Sequence, residues 1–153
     1  MDAAAAGLPY VDEHAIEIAA SREATWEALL KVVEATVSAG AAPPFARLLG
    51  CADTEPAGPR PLGLGSVLPG FHVASCEAEA ELGLGGSHRF SEYALIFRLE
   101  DDGAGGTRVR AETRAVFPHF KGRVYRALVI GTRMHVLATR RILTACKRRA
   151  ERP

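Results

Sequence analysis

The side chains in this sequence best suited to proton transfer or metal binding are five histidines: His14, His72, His88, His119 and His135. A zinc site needs them one helical turn apart, as in H-E-x-x-H, or beside cysteines at ligand spacing, and none is so placed. No metal site is therefore indicated. His135 stands apart, because helical spacing puts it on one face with Leu128, Thr132 and Thr139. A histidine there is either a core residue satisfied by one hydrogen bond, or a cavity group. In the second case it binds a ligand hydroxyl or carbonyl, or exchanges a proton, since imidazole titrates near neutrality.

The stretch "ELGLGGSHRFSEYALIF", residues 81–97, raises a second question of chemistry. A dinucleotide fingerprint G-x-G-x-x-G starting at Gly83 needs glycine at His88, and one starting at Gly63 needs it at Leu68. A phosphate loop needs G-K-[ST], which the chain lacks. The residues after these glycines carry a strand pattern, not a helical one. The glycines read as a turn or bulge bending a sheet. If the next strand is regular, Arg89 and Ser91 share the parity of Tyr93, Leu95 and Phe97, so that Arg89 faces a cavity mouth and pairs with a ligand carboxylate. A bulge just before it turns Phe90 and Glu92 inward instead. Thr113 and Tyr125 are further polar residues on inward faces. No serine stands in G-x-S-x-G, and the carboxylates of "EAEAE" read as a solvated strand edge.

The elements that position these groups emerge from periodicity. "YVDEHAIEIAA" alternates as a strand. Ser21 caps a helix whose Trp26, Leu29, Leu30, Val33 and Val37 share a face. Gly40 ends that helix, and Pro43-Pro44 starts a short second one. "CADTEPAGPRPLGLGS" is a long aperiodic connection, read as a lid or a mobile loop. From about Phe71, "FHVASCEA" and "EAELGLG" are short strand candidates, and "HRFSEYALIFRLE", starting at His88, is a longer one with Tyr93, Leu95, Phe97 and Leu99 on one face. After the "DDGAGG" hairpin loop, Thr107, Val109, Ala111, Thr113, Ala115 and Phe117 point inward, and Arg108, Arg110, Glu112 and Arg114 outward. Beyond Pro118, residues 119–149 read as one long helix. Its broad buried face holds Val124, Tyr125, Leu128, Thr132, His135, Thr139, Ile142, Leu143 and Cys146.

These 153 residues suit one domain, with residues 1–9 a flexible start and 10–150 the folded part. A net charge of +1 offers no field for nucleic acid. Three cysteines without a C-x-x-C pair suit reduced thiols in the cytoplasm. No signal peptide is visible, and no window approaches the ~20 apolar residues of a stable membrane insertion. The absence of asparagine and glutamine, with arginine far above lysine, reads as the codon bias of a GC-rich bacterial genome. The basic tail "TRRILTACKRRAERP" reads as a solvated helix end. Ile130 and Leu137, among outer-face arginines, point to a docked N-terminal segment or a homodimer contact.

Three stretches, "HAIEIAASREATWEALLKVV", "HRFSEYALIFRLE…GGTRVRAETRAVFP" and "YRALVIGTRMHVLATRRILTACKRRAE", resemble the START-like, or SRPBCC, superfamily of polyketide cyclase-like and birch-pollen-allergen-like proteins. The likeness runs from about residue 10 to 150 and rests on pattern and order. It implies an α+β helix-grip fold, in which a curved antiparallel sheet wraps a long C-terminal helix and two short helices come after the first strand. It also implies a cavity for a small hydrophobic or amphipathic ligand, with no cofactor. Five strands are evident, and Ser66–Pro69 is a candidate for a sixth. Arg89, Tyr93, Leu95, Phe97, Thr113, Tyr125, Leu128, Thr132 and His135 are then the expected ligand-binding residues. Two other functions fit the pattern. One is a polyketide cyclase or aromatase, in which His135, Arg89 or Tyr125 polarises a carbonyl or moves a proton. The other is a non-catalytic interaction module using the basic outer helix face.

Overall fold

Alternation at the start of the chain becomes strand β1, Tyr10–Ile18. The computed structural model describes residues 7–40, 42–129 and 133–152. Ser21 accepts the Ala24 N–H at 3.2 Å and so caps helix α1, Arg22–Ser38, satisfying a donor that the first turn leaves open. Helix α2, Ala42–Leu49, carries its two prolines in the first turn, where a missing N–H breaks no helical bond. The remaining strands are β2 (Val67–Leu68), β3 (Phe71–Glu77), β4 (Glu81–His88), β5 (Ser91–Asp101) and β6 (Thr107–Val116). Two helices, α3 (His119–Val129) and α4 (Met134–Ala150), complete the chain. The strands form one antiparallel sheet in the order β1-β6-β5-β4-β3-β2, and the sixth strand lies within Ser66–Pro69 as the sequence suggests.

Two expectations change. The long strand does not begin at His88. Glu81–His88 is itself a strand paired without a break from Glu81↔Arg98 to His88↔Ser91, so Arg89 and Phe90 are the two-residue turn of a hairpin. The glycines therefore lie inside a strand and not at a bend before it. The single helix expected over 119–149 is instead two. A glycine at 131 costs a helix interior about 1 kcal/mol, and at the start of α4 Arg133 has φ 55°, a left-handed conformation foreign to a continuing helix. The helical face divides accordingly: Thr139, Ile142, Leu143 and Cys146 are buried, whereas Val124 and Leu128 are exposed.

The connection at residues 50–66 is tied down at several points. Arg60 bonds Glu34 and the carbonyls of Ala57 and Val67. Ser66 donates to the Pro59 carbonyl at 2.7 Å, and Leu62 is buried in the core.

The two sheet faces have different chemistry because β5 and β6 are in strict register. On the inner face Phe97, Leu99, Val109 and Ala111 pack with Ile142, Leu143 and Cys146 of α4 and with Trp26, Leu29 and Val33 of α1. On the outer face Glu112 takes Arg98 at 2.6 Å and also Arg114. Arg98 reaches on to Glu81 at 3.1 Å, and Arg110 clasps Glu13 with two nitrogens and Glu100 with a third. The carboxylate of Glu81, read from sequence as a solvated edge, is thus part of a cross-strand network. Beside it Ala94 and Ile96 are buried with Leu8 packed against them. Burial pushes the Glu112 carboxyl upward, but the Arg98 and Arg114 hydrogen bonds outweigh it and hold it below the usual carboxylate range.

Two outcomes are expected. Phe97→Ala, at a fully buried position, should cost about 3–5 kcal/mol in urea unfolding. Glu112→Gln should cost about 2 kcal/mol at neutral pH. Because the folded-state pKa lies below the unfolded value of about 4.3, that contribution is complete above the unfolded value. It disappears as pH falls through the folded one. Unfolding measured at neutral and at acid pH should therefore show the variant and the parent converging in acid.

Candidate functional site

The inner face is filled at one end and open at the other. Along β5 the inward series runs Tyr93, Leu95, Phe97, Leu99, and along β6 it runs Ala115, Thr113, Ala111, Val109, each paired across the ladder. The Phe97–Ala111 end is closed by Ile142 and Leu143 of α4. Toward Tyr93 and Ala115, α4 offers only Thr139, Ala138 and His135, which are too small or too polar to fill the space. What remains is a cavity of about 380 Å³. Its sheet wall is Ser91, Tyr93, Leu95, Thr113 and Ala115, and its helical walls bring Val37 from α1, Phe45 and Leu49 from α2, and Tyr125 from α3. Phe45 lines the cavity while itself half-exposed, so the cavity reaches the surface there.

An aromatic cluster forms one end. The His88 ring meets Tyr125 edge-on at 4.7 Å between centroids and lies 5.5 Å from Tyr93. Phe90 stacks on Tyr125 at 5.6 Å. The Phe90 N–H donates to His88 Nδ1 at 3.1 Å, which leaves the ring proton of the neutral imidazole on Nε2. Burial lowers the His88 pKa, favouring that neutral form. The Tyr93 hydroxyl donates to the Gly70 carbonyl at 2.6 Å and sits 3.8 Å from the Cys51 thiol. Burial, reinforced by Cys51, pushes the Tyr93 phenol well above its ordinary range, and burial also raises Tyr125. Both phenols are neutral donors at physiological pH.

Gly86 makes this packing possible. A Cβ there would stand 2.3 Å from the Gly70 carbonyl oxygen and 2.5 Å from the Tyr93 ring. The glycine so prominent in the sequence thus lets the Tyr93 ring lie across β4.

At the β1 edge, Asp12 pairs in register with Thr113 and reaches His135 Nε2 at 2.7 Å. Asp12 thus ties β1 to the start of α4 at the cavity margin. The Thr113 hydroxyl oxygen and Asp12 Oδ1 are both buried with no hydrogen-bond partner among the described residues. Leaving such a group unpaired costs about 1–3 kcal/mol; of the two, Thr113 lines the cavity, so its wall carries one polar atom that a ligand could pair.

Of the residues expected from sequence to bind a ligand, Tyr93, Leu95, Thr113, Tyr125 and His135 line the cavity. Phe97 is buried in the core beyond its closed end. Arg89 is exposed in the hairpin turn, where its side chain lies over Gly50. Leu128 is exposed. Thr132 lies outside the described residues. Sequence reading passed over Phe45, Cys51 and Ala138, and gave His88 no place in the site. Only the parity of His88, once β4 is recognised as a strand, could have marked it.

Architecture and cavity together define a helix-grip protein, as the START-like resemblance implies. Solved structures agree on the fold. A protein from Chromobacterium violaceum is similar with a TM-score of 0.55 at 9% identity, covering 95% of this chain and 100% of its own. Ara h 8.0201 matches at 0.53 and 11%, over 91% and 95% of the two chains. A norcoclaurine synthase point mutant from Thalictrum, in complex with a transition-state analogue, matches at 0.53 and 15%, over 91% and 92%. No protein-family model and no curated protein matches the sequence.

Thr113→Val removes the unpaired hydroxyl at nearly constant shape. The empty protein should gain about 1 kcal/mol in thermal or urea unfolding.

Proposed function

We propose that this chain binds a small apolar or amphipathic molecule between its sheet and its C-terminal helices. The observation that carries this reading is the cavity itself: about 380 Å³, walled by apolar and aromatic side chains, with a few polar atoms at its margins. That size and lining suit a small ligand. Binding would come from apolar burial at about 25 cal/mol per Å². The Thr113 hydroxyl would orient the ligand by meeting a polar group on it. A solved structure of the same fold is a synthase in complex with a transition-state analogue, which supports a ligand-holding role for the architecture.

The His88–Tyr125–Tyr93 cluster favours a second reading, an enzyme of the polyketide cyclase or aromatase type. In it the neutral His88 imidazole and the Tyr125 phenol would polarise carbonyl groups of a bound substrate, while the Tyr93 proton stays on the Gly70 carbonyl. Arg89, exposed in its turn, takes no part in this reading. His135, held by Asp12, would act in positioning.

Titration with the dye anilinonaphthalene sulfonate should show saturable binding at one dye per chain. Ala115→Phe, which places a ring in the cavity, should abolish it while the circular dichroism spectrum stays unchanged. Equal dye binding by the folded variant would refute the cavity as the binding site.

A further inference from the structure

Among the described residues, helix α3 leaves its large aliphatic and phenylalanine side chains in water. Along the described side chains of α3 only Tyr125 is half-buried and the others are exposed, while Gly122 faces inward. Phe120, Val124 and Leu128 are 71%, 48% and 62% exposed. At about 100° per residue these three share one arc with Ala127, flanked on one side by Lys121 and on the other by Arg123. The orientation is set by Gly122 on the opposite side. A Cβ there would stand 2.9 Å from the Phe90 carbonyl oxygen and the same distance from the Phe117 backbone, so the helix rests directly on the protein at that point. The Arg123 guanidinium lies 5.9 Å from the centre of the Phe120 ring, at the border of the arc. Phe90, Phe120, Lys121, Val124, Tyr125 and Leu128 line a shallow groove, and Tyr125 is also a wall of the cavity.

The charges on this helix differ from those on the sheet. Arg98, Arg110 and Arg114 are all paired with carboxylates, whereas among the described residues Lys121, Arg123 and Arg126 form no ion pair. Between Glu112 and Glu151 the chain has no acidic residue, yet it carries ten of its 19 lysines and arginines. A net charge of +1 conceals this division.

We propose that α3 is a peripheral docking helix for an anionic phospholipid bilayer. Phe120, Val124 and Leu128 enter the acyl boundary, while Lys121 and Arg123, which flank the arc, meet the headgroups, and the Tyr125 wall of the cavity is brought to the lipid surface. An apolar arc bordered by cations on a short helix has the chemistry of an interfacial helix. A second copy fits less well, because two such arcs face to face would oppose Lys121 and Arg123 with no acid on α3 to pair them. Residues 1–6, a methionine, one aspartate and four alanines, offer too little apolar surface and charge to match the arc. The docking is peripheral: among the described residues no helix is long and apolar enough to cross a membrane.

Flotation of the full chain with vesicles tests this. Vesicles of phosphatidylcholine with about 30% phosphatidylserine should capture the protein, pure phosphatidylcholine should not, and added salt should release it. Phe120→Ser with Val124→Ser, and separately Lys121→Glu with Arg123→Glu, should each lower capture by about tenfold or more. Both variants should keep the parental circular dichroism spectrum and dye binding, since the changed side chains are exposed. Capture that ignores phosphatidylserine, or that survives the serine pair, would overturn the proposal. So would a lipid-free dimer that the serine pair dissociates, which would assign the arc to a second copy. Binding to a DNA duplex without vesicle capture would assign the cations to nucleic acid.

Discussion

The structure depends on the grip of the sheet on the C-terminal half of α4. Ile142, Leu143 and Cys146 are buried between Phe97, Leu99 and Val109 of the sheet and the apolar face of α1. This contact seals one end of the inner face and fixes how far α4 stands from the strands. Toward its start the helix carries His135, Ala138 and Thr139, and β6 carries Thr113 and Ala115, so the same two elements cannot close on each other there. The cavity is thus a consequence of side-chain size along one helix and one ladder. Large residues meet at one end and small ones at the other, and close packing does not extend across the whole face.

The outer face keeps that geometry from slipping. A one-residue shift of β5 against β6 would turn Arg98 toward the core and expose Phe97. The paired charges of Glu81, Arg98, Glu112 and Arg114 favour the same register from the other side of the sheet. Core and surface therefore specify one alignment, and the cavity wall inherits it.

Much of this was legible in the sequence, for identifiable reasons. The alternation in β6 assigned Thr113 and Ala115 to the inner face, and that in β5 assigned Tyr93 and Leu95. Both hold because those strands have one wet face. The hairpin at Arg89-Phe90 was hidden because β4 has glycine at three positions, leaving Leu82 and Leu84 as the only apolar marks of its alternation. The break between α3 and α4 was missed because a helical wheel carries no penalty for Gly131 and treats thirty residues as continuous. The convergence of Phe45, Cys51, His88 and Tyr125 on one space was not readable at all. It arises from loops and helix ends whose meeting has no period.

Xenon pressurisation of crystals tests the central claim, an open apolar cavity between the strands and the helices, most directly. The account predicts xenon density bounded by Tyr93, Leu95, Thr113 and Tyr125, with none between Phe97 and Leu143. Xenon-free density in which Phe45 and Tyr125 have folded inward to fill the space would contradict it.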